Sequence, residues 1–382
     1  MPTTEAWVLY EGGSGSAEAE LRRETFTFED PTDDEVLVEP IYGSWEANMA
    51  HAIDRRPIDV CRARGEPRVV LGNAGVVRVL RPGRKVTSVE PDDLCIFFGS
   101  GRMDAFGYME LAHAYDAPKT IGLLAKQTKV AAWNLIPIPS NSKFSPAQWA
   151  AFSLRYLTAW SNWRVAIGAL RLQLSAEDLP CPHVWGWGGG STLAELDLAR
   201  RSGCITTMIT GSSAHRREIE ATGIETIDRS EFPDLQFDPA RYERDRPYAS
   251  AYRDSETRFL KVVRERTEGL GVAIFIDYIG TPVLRATLKA LGRGGVLATA
   301  GWKHGMDSSI VRAMECLKRH THVHTHYARH SEGPTAVEYA ERNGWMPRVD
   351  HVYSWDDIPV LVREYAAGQN PSYFTVFAVN PV

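Results

Sequence analysis

A glycine-rich turn between an apolar run and a helix-forming stretch is the strongest chemical signal in the sequence. The run at 184–187 enters the turn, the stretch at 193–201 favours a helix, and 205–210 has the spacing of the next strand of a βαβ unit. Glycines let a backbone approach phosphates closely, and free N–H groups at a helix start attract negative charge. The pattern predicts a dinucleotide pyrophosphate site, with an ordinary strand-to-helix turn as the alternative. The predicted contacts are Gly186, Gly188, Gly189, Gly190, Ser191 and Thr192.

The end of the second strand indicates which dinucleotide would bind. An NAD site usually places Asp or Glu there to take the ribose hydroxyls, but this sequence has Ser212 and Ser213, followed by Arg216 and Arg217. Hydroxyls and a guanidinium suit a 2′-phosphate, because Arg offers paired, charged donors. The pattern therefore favours NADP(H) held by Ser212, Ser213 and Arg216. In the alternative interpretation the two arginines only form a solvated helix face.

Composition limits the class of protein. The 382 residues suffice for two domains, and a net charge of -5 gives no general attraction to nucleic acid or anionic membranes. We see no apolar run of membrane-spanning length and no signal peptide. The five cysteines are scattered, which is typical of reduced thiols and predicts a cytoplasmic protein.

The elements that must position the turn fall into two kinds. Short strands with glycine and proline punctuation fill the chain before residue 98, and a helix is expected over 145–169. Nearly all-apolar runs at 273–280 and 294–301 are typical of buried parallel strands. The expected fold is therefore α/β, with a β-rich part and a doubly wound parallel sheet.

Four motifs make the chain resemble the medium-chain dehydrogenase/reductase superfamily. Residues 35–38 (EVLV), 71–77 (LGNAGVV) and 157–160 (LTAW) match its strand, turn and helix motifs, and Gly186, Gly189 and Thr192 fall on its AxxGxxG positions. Thr192 thus replaces the last glycine, which demands looser helix–strand packing. The resemblance implies a GroES-like catalytic domain over 1–164 and 328–382, and a Rossmann NADP-binding domain over 165–327.

Within that superfamily the chain is most similar to the crotonyl-CoA carboxylase/reductase branch. The similarity lies at 106–112, at 227–229 with the long polar insertion that follows, and at 324–328. It implies a homodimer or tetramer and a nicotinamide edged by Gly280, Ala300 and Gly301. It also implies His326 as a substrate contact, with a structural imidazole as the alternative. Thr158 is the candidate hydroxyl contact to cofactor or substrate, and Asn48 the candidate for the branch's active-site asparagine.

Metal ligands are missing from the positions where zinc-dependent relatives would carry them. No cysteine occurs at 43–45, Asn73 stands where a histidine would be expected, and no cysteine quartet exists. His320, His322, His324 and His326 would share one face of a strand. No carboxylate or cysteine is spaced to complete a metal site there, so we expect no metal.

The functional expectation is an NADPH-dependent reductase of an α,β-unsaturated acyl thioester, carried on CoA or a carrier protein. Hydride would go to the β-carbon without a metal, and hydrogen-bond donors would hold the enolate. Carboxylation is not supported, because residues 44–48 and Arg102-Met103 depart from the carboxylating pattern. The alternatives are a zinc-free quinone- or aldehyde-type NADPH oxidoreductase and a non-catalytic NADP-binding protein. The 229–258 insertion is expected to be a solvated loop, or else a lid or subunit contact.

Overall fold

A computed structural model describes residues 1–12, 21–301, 304, 309–325 and 328–382. The chain divides into two compact units, Met1–Leu157 with Ala328–Val382, and Thr158–Tyr327. The first boundary falls at 157 and not at 164 as expected from the sequence. Because one helix runs unbroken through this region, from Arg155 to Arg171, no linker composition marks the boundary.

The first unit is built mainly of short strands, as the glycine and proline punctuation predicted. Its N-terminal strands are β1 Thr3–Tyr10, β2 Leu21–Thr27, β3 Glu35–Ser44, β4 Arg68–Val70, β5 Ala74–Pro82, β6 Leu94–Phe98, β7 Ser100–Met103, β8 Met109–Ala112, β9 Thr128–Ala131 and β10 Leu135–Pro137. The C-terminal strands are β17 Val352–Tyr353 and β18 Val376–Ala378.

These strands form one main sheet and two small ones. The main sheet has the order β10-β6-β5-β3-β18-β17, with β9 also paired to β3. Strands β2, β1 and β4 form a second sheet, and β7 and β8 a separate hairpin. Alternate residues of β3 and β5, among them Val36, Val38, Val77 and Val79, point into one apolar core.

Helices connect and cover the strands of this unit. They are α1 Ala47–Asp54, α2 Val60–Arg64, α3 Pro146–Phe152, α10 Gly333–Asn343 and α11 Ile358–Ala366. The single helix predicted for 145–169 is in fact α3 followed by α4, Arg155–Arg171. Ser145 caps α3 in a capping box with Gln148.

The second unit contains a parallel sheet with helices in its connections. Its elements are β11 His183–Trp187, α5 Gly190–Arg201, β12 Ile205–Thr210, α6 Ser213–Glu220, β13 Glu225–Asp228, α7 Pro239–Arg244, α8 Arg246–Arg266, β14 Val272–Ile276, α9 Thr281–Ala290, β15 Leu291–Thr299 and β16 His322–Thr325. The strand order is β13-β12-β11-β14-β15-β16, and each neighbouring pair is parallel.

This order is that of a doubly wound sheet, which reverses direction between its first and fourth strands. The reversal here lies between β11 and β14, which are hydrogen-bonded neighbours. Every residue of β14 is buried, as expected for a central strand with both faces covered. The fold class expected from the sequence, a β-rich domain and a doubly wound parallel sheet, is confirmed.

The insertion after Arg229 is helical, and the expectation of a solvated loop is wrong. Helix α8 buries Tyr252, Phe259 and Val263 in the core of the second unit, together with Trp185 and Phe275 of the sheet. The high density of charged residues suggested a loop. They lie largely on the outer face of α8, whose apolar face has helical spacing.

None of the helices in the described ranges is long and apolar enough to cross a membrane.

Candidate functional site

The turn between β11 and α5 has the geometry that anion binding requires. Gly189 is the N-cap of α5 and has a φ of 152°, in the region that favours glycine. It brings no side chain to cap the helix, so the first N–H groups of α5 receive no hydrogen bond from an N-cap side chain. Gly188 N is fixed on Ile209 O of the neighbouring strand at 2.9 Å. The turn therefore presents the helix N-terminus at the carboxyl edge of the sheet, where ligands of such folds bind.

Thr192 packs over Gly186, and this contact resolves the mismatch with the glycine motif. A Cβ placed on Gly186 would lie 2.4 Å from Thr192 Cγ2 and 3.3 Å from Ile276 O. The methyl group of Thr192 thus fills the space that a side chain at position 186 would take. Looser packing, which we expected from the threonine, is not needed. Among the described residues, the buried Thr192 Oγ1 has no hydrogen-bond partner.

The predicted contacts to a 2′-phosphate lie together at the end of β12. Ser212 is the N-cap of α6, its side chain accepts from His215 N, and Ser213 is the first residue of the helix. Arg216 forms an ion pair with Asp228, the last residue of β13, which is paired with Thr210. Within the described parts of the chain, Arg216 Nε has no acceptor.

Asp228 is a carboxylate that the sequence analysis overlooked. Hydrogen bonds from Ser230 and then from Arg216 lower the pKa of Asp228 to about 2. The Arg216–Asp228 pair therefore stays charged at neutral pH. It positions the guanidinium, but it also places a negative charge beside it.

The predicted nicotinamide edge lies at the ends of β14 and β15. Gly280 has a φ of 95° and is the N-cap of α9. Ala300 and Gly301 directly follow β15, and a Cβ on Gly301 would lie 2.5 Å from Tyr278 O. The backbones after the two strands are therefore in close contact at this edge.

Asp277 fixes the turn into α9. Its Oδ1 accepts from Ile279 N at 2.9 Å and from Gly280 N at 3.0 Å, and Thr287 Oγ1 donates to Oδ2 at 3.0 Å. Burial raises the pKa of Asp277 to about 6, and these hydrogen bonds act in the opposite direction. The carboxyl group holds the N-terminus of α9 at the sheet edge.

A buried polar triad, Asn162–Glu195–Tyr278, lies behind the turn, and sequence reasoning missed it. Tyr278 Oη donates to Glu195 Oε2 at 2.6 Å, and Asn162 Nδ2 lies 2.7 Å from Tyr278 Oη and 3.1 Å from Glu195 Oε2. Glu195 is fully buried. The available signal was a lone glutamate in the otherwise apolar stretch 193–196.

Two of the three predicted catalytic residues can be placed. Asn48 is a half-buried residue of α1 in the first unit, and its buried Oδ1 has no hydrogen-bond partner among the described residues. Thr158 is a half-buried residue of α4 in the second unit, one helical turn before Asn162 and on the same face. His326 lies outside the described residues.

In the first unit, an ionic network occupies the stretch 44–46, where the sequence analysis looked for a zinc-binding cysteine and found none. Arg155 Nη1 donates to Glu46 Oε1 at 2.8 Å and to Ser44 Oγ at 2.9 Å, and Ser44 Oγ donates to Glu46 Oε1 at 2.7 Å. All three residues are buried. Within the described ranges, no group of three or more His, Cys, Asp or Glu residues is arranged to hold a metal ion.

No protein-family model and no curated protein matches this chain. Several solved structures do match its fold. A crotonyl-CoA carboxylase/reductase, AntE in complex with NADP, is 19% identical with a TM-score of 0.81, covering 100% of this chain and 95% of its own. The 2-octenoyl-CoA carboxylase reductase CinF, in complex with NADP and 2-octenoyl-CoA, is 19% identical with a TM-score of 0.79, covering 99% and 88%.

An NAD-dependent alcohol dehydrogenase is 21% identical with a TM-score of 0.75, covering 98% of this chain and 100% of its own. At these identities the likeness establishes the fold. The two-domain architecture implied by the sequence resemblance is therefore confirmed.

Proposed function

We propose that the protein is an NADPH-dependent reductase of α,β-unsaturated acyl thioesters, delivering hydride to the β-carbon. The observation that carries the proposal is the uncapped, glycine-started helix α5 at the switch point of a doubly wound sheet. Two structures of the same fold are described as NADP complexes, and one of these also holds 2-octenoyl-CoA. These complexes support both the cofactor and the class of substrate.

The residues of the second unit fit an NADP(H) molecule. The α5 N-terminus would take the pyrophosphate, and the Thr192 hydroxyl, which has no partner among the described residues, lies in the first turn of that helix. Arg216, whose Nε has no acceptor in the described parts of the chain, would take the 2′-phosphate together with Ser212 and Ser213. Gly280, Ala300 and Gly301 would leave room for the nicotinamide. When bound, NADPH supplies the hydride.

Besides hydride transfer, the reaction requires hydrogen-bond donors that stabilise the enolate. Negative charge develops on the thioester oxygen, and preorganised donors stabilise it. The Thr158 hydroxyl is our candidate donor in the second unit, and His326 remains the predicted polar contact. Ser44 and Asn73 stand where a zinc-dependent enzyme would carry metal ligands, so polarisation by donors suits this chain better.

We further propose that the enzyme reduces without carboxylating. In the stretch 44–48, Ser44 and Glu46 are both hydrogen-bonded to Arg155. Asn48 therefore remains as the amide candidate there. In the second region Arg102 is exposed and paired with Glu110 across the β7–β8 hairpin at 2.6 Å. Asn48 alone, without an aromatic–glutamate pair at Arg102-Met103, does not complete a site for CO₂.

Crotonyl-CoA with NADPH tests the proposal. We expect NADPH oxidation in bicarbonate-free buffer, and mass spectrometry should find the saturated acyl-CoA with and without bicarbonate. Deuterium from the labelled cofactor should appear at the β-carbon. A product heavier by one carboxyl group would show that carboxylation occurs.

Matched glycine variants provide the control. Gly189→Val places a β-branched side chain at a φ that disfavours it and should abolish NADPH binding. Gly168→Ala adds a methyl group in open space on helix α4 and should leave binding unchanged. Turnover of quinones but not thioesters would favour the other oxidoreductase class. NADPH binding without turnover of any substrate would favour a non-catalytic role.

A further inference from the structure

Glu195 is a fully buried carboxyl group that no positively charged side chain of the described residues neutralises. Its hydrogen-bond partners in the described structure are the Tyr278 hydroxyl and the Asn162 amide, both neutral. An isolated buried carboxylate is costly, and such a group holds its proton instead. Burial raises the pKa of Glu195 to about 8, although both hydrogen bonds act to lower it.

On α5 and directly after β14, the charged groups of the described residues are engaged elsewhere. On α5 itself, Asp197 pairs with Arg200 at 3.0 Å and with Arg201 at 2.9 Å. After β14, the Asp277 carboxylate accepts hydrogen bonds from backbone N–H groups of the turn into α9. The proton on Glu195 is therefore controlled by burial, by its two neutral partners and by any charge that arrives from outside.

The triad can satisfy the carboxyl group in either protonation state. As an anion, Glu195 accepts from Tyr278 and from the Asn162 amide nitrogen. In the described structure the buried Asn162 Oδ1 has no partner. If the amide turns end over end, this oxygen faces the carboxyl group and accepts a proton that only neutral Glu195 can donate.

The position of Glu195 couples it to the anion site. It lies six residues after the N-cap Gly189, which corresponds to about 9 Å along a helix. Like charges at this distance repel through the protein interior, where salt screens them only weakly. A pyrophosphate at the start of α5 and a negative charge on Glu195 therefore oppose each other.

We propose that Glu195 takes up a proton when the dinucleotide phosphates bind at the N-terminus of α5, so that cofactor affinity falls as pH rises. The inference rests on the proposed function only in assigning the pyrophosphate to this helix. Linkage is reciprocal, so bound cofactor holds the proton more tightly by the same factor by which the proton improves binding.

NADPH titrations by calorimetry at pH 7 and pH 9 test the inference. With binding tied to the protonated carboxyl, we expect the wild-type dissociation constant to rise about tenfold between these values. Glu195→Gln, which mimics the neutral acid, should show a constant affinity. The control Asp197→Asn removes a carboxylate from the same helix and should keep the wild-type pH dependence.

Proton uptake by the wild-type protein gives a second measurement that needs no variant. Titrations at pH 8 in two buffers of different ionisation enthalpy should report an uptake of about half a proton per NADPH bound. No uptake, or the same pH dependence in Glu195→Gln as in wild type, would overturn the inference. Failure of NADPH to bind at any pH would instead contradict the proposed function.

Discussion

The methyl group of Thr192 lies 2.4 Å from the position that a Cβ on Gly186 would occupy. Strand β11 and helix α5 approach closely in this fold, and a small residue normally allows it from the helix side. In this chain the threonine stands on the helix, and the missing side chain is on the strand. The strand and helix still approach closely, because the side chain missing at Gly186 leaves room for the methyl group of Thr192.

Gly186→Ala should therefore destabilise the protein and weaken NADPH binding. The added methyl group meets the Thr192 side chain and backbone of β14, and overpacking of this kind costs about 1–3 kcal/mol. Thr192→Gly in the same chain should restore most of the loss. Urea unfolding and NADPH titration of both single variants and the double variant form a double-mutant cycle. Additive effects of the two changes would show that the residues do not compensate each other.

Arg216 should determine the preference for NADPH over NADH. Loss of a charged hydrogen bond to phosphate costs about 1.5–3 kcal/mol, so Arg216→Ala should weaken NADPH binding by about 10- to 100-fold and leave NADH binding almost unchanged. Asp228→Asn removes the competing carboxylate and should strengthen NADPH binding severalfold. Arg217→Ala, an exposed neighbour, is the control and should keep the selectivity. Equal losses for both cofactors in Arg216→Ala would contradict the assignment.

The parts of the fold that the sequence predicts are those encoded locally. Apolar runs identify β11, β12, β14 and β15, because a central parallel strand is buried on both faces. The turn is also local, since only glycine adopts the Gly189 conformation at little cost. The predicted pyrophosphate contacts lie at the end of β11, in this single turn and at the start of α5.

Polar networks between distant parts of the chain could not be predicted in this way. Arg155 and Glu46 are 109 positions apart, and Asn162 and Tyr278 are 116 apart. A buried polar residue is recognisable only by its partner, and a single sequence does not pair such residues. The prediction of a solvated loop for the insertion after Arg229 failed for a different reason. The apolar spacing of α8 is helical, but its many charged residues on the outer face resemble a loop in composition.

The buried Arg155–Glu46 pair predicts a large effect of removing one partner. Arg155→Met leaves the Glu46 carboxylate buried without its cation, and losses of about 3–5 kcal/mol are typical of such changes. Replacing both residues by apolar ones of similar size should recover much of the lost free energy of unfolding. The exposed pair Arg342–Glu338 is the control, and Arg342→Ala should change the free energy of unfolding by less than about 0.5 kcal/mol. Equal effects in urea unfolding would contradict the prediction.

Tyr278→Phe should move the pH dependence of NADPH binding upward. The Tyr278 hydroxyl donates to Glu195 and lowers the pKa of that carboxyl group. Without the donor the anion is less stable, so the proton is lost only at higher pH. Calorimetric titrations across pH 6–10 should show the same curve displaced toward alkaline pH. A displacement toward acid, or none, would show that this hydrogen bond does not control the carboxyl group.

Glu195 should also make the stability of the free protein depend on pH. The pKa of Glu195 is raised from an ordinary 4.5 to about 8 on folding, so the folded state binds more protons than the unfolded state between these values. Stability from this group is then complete below about pH 4.5 and is lost as pH rises through 8.

Glu195→Gln cannot lose this proton. Between pH 5 and pH 8 the wild type should therefore lose about 3–4 kcal/mol relative to the variant, and the gap in Tm should widen by several degrees. Other titrating groups are common to both proteins and cancel in the difference between them. Calorimetric melting of both proteins across this pH range measures the difference in their Tm. A gap that stays constant or narrows would mean that the buried carboxyl is already ionised at neutral pH.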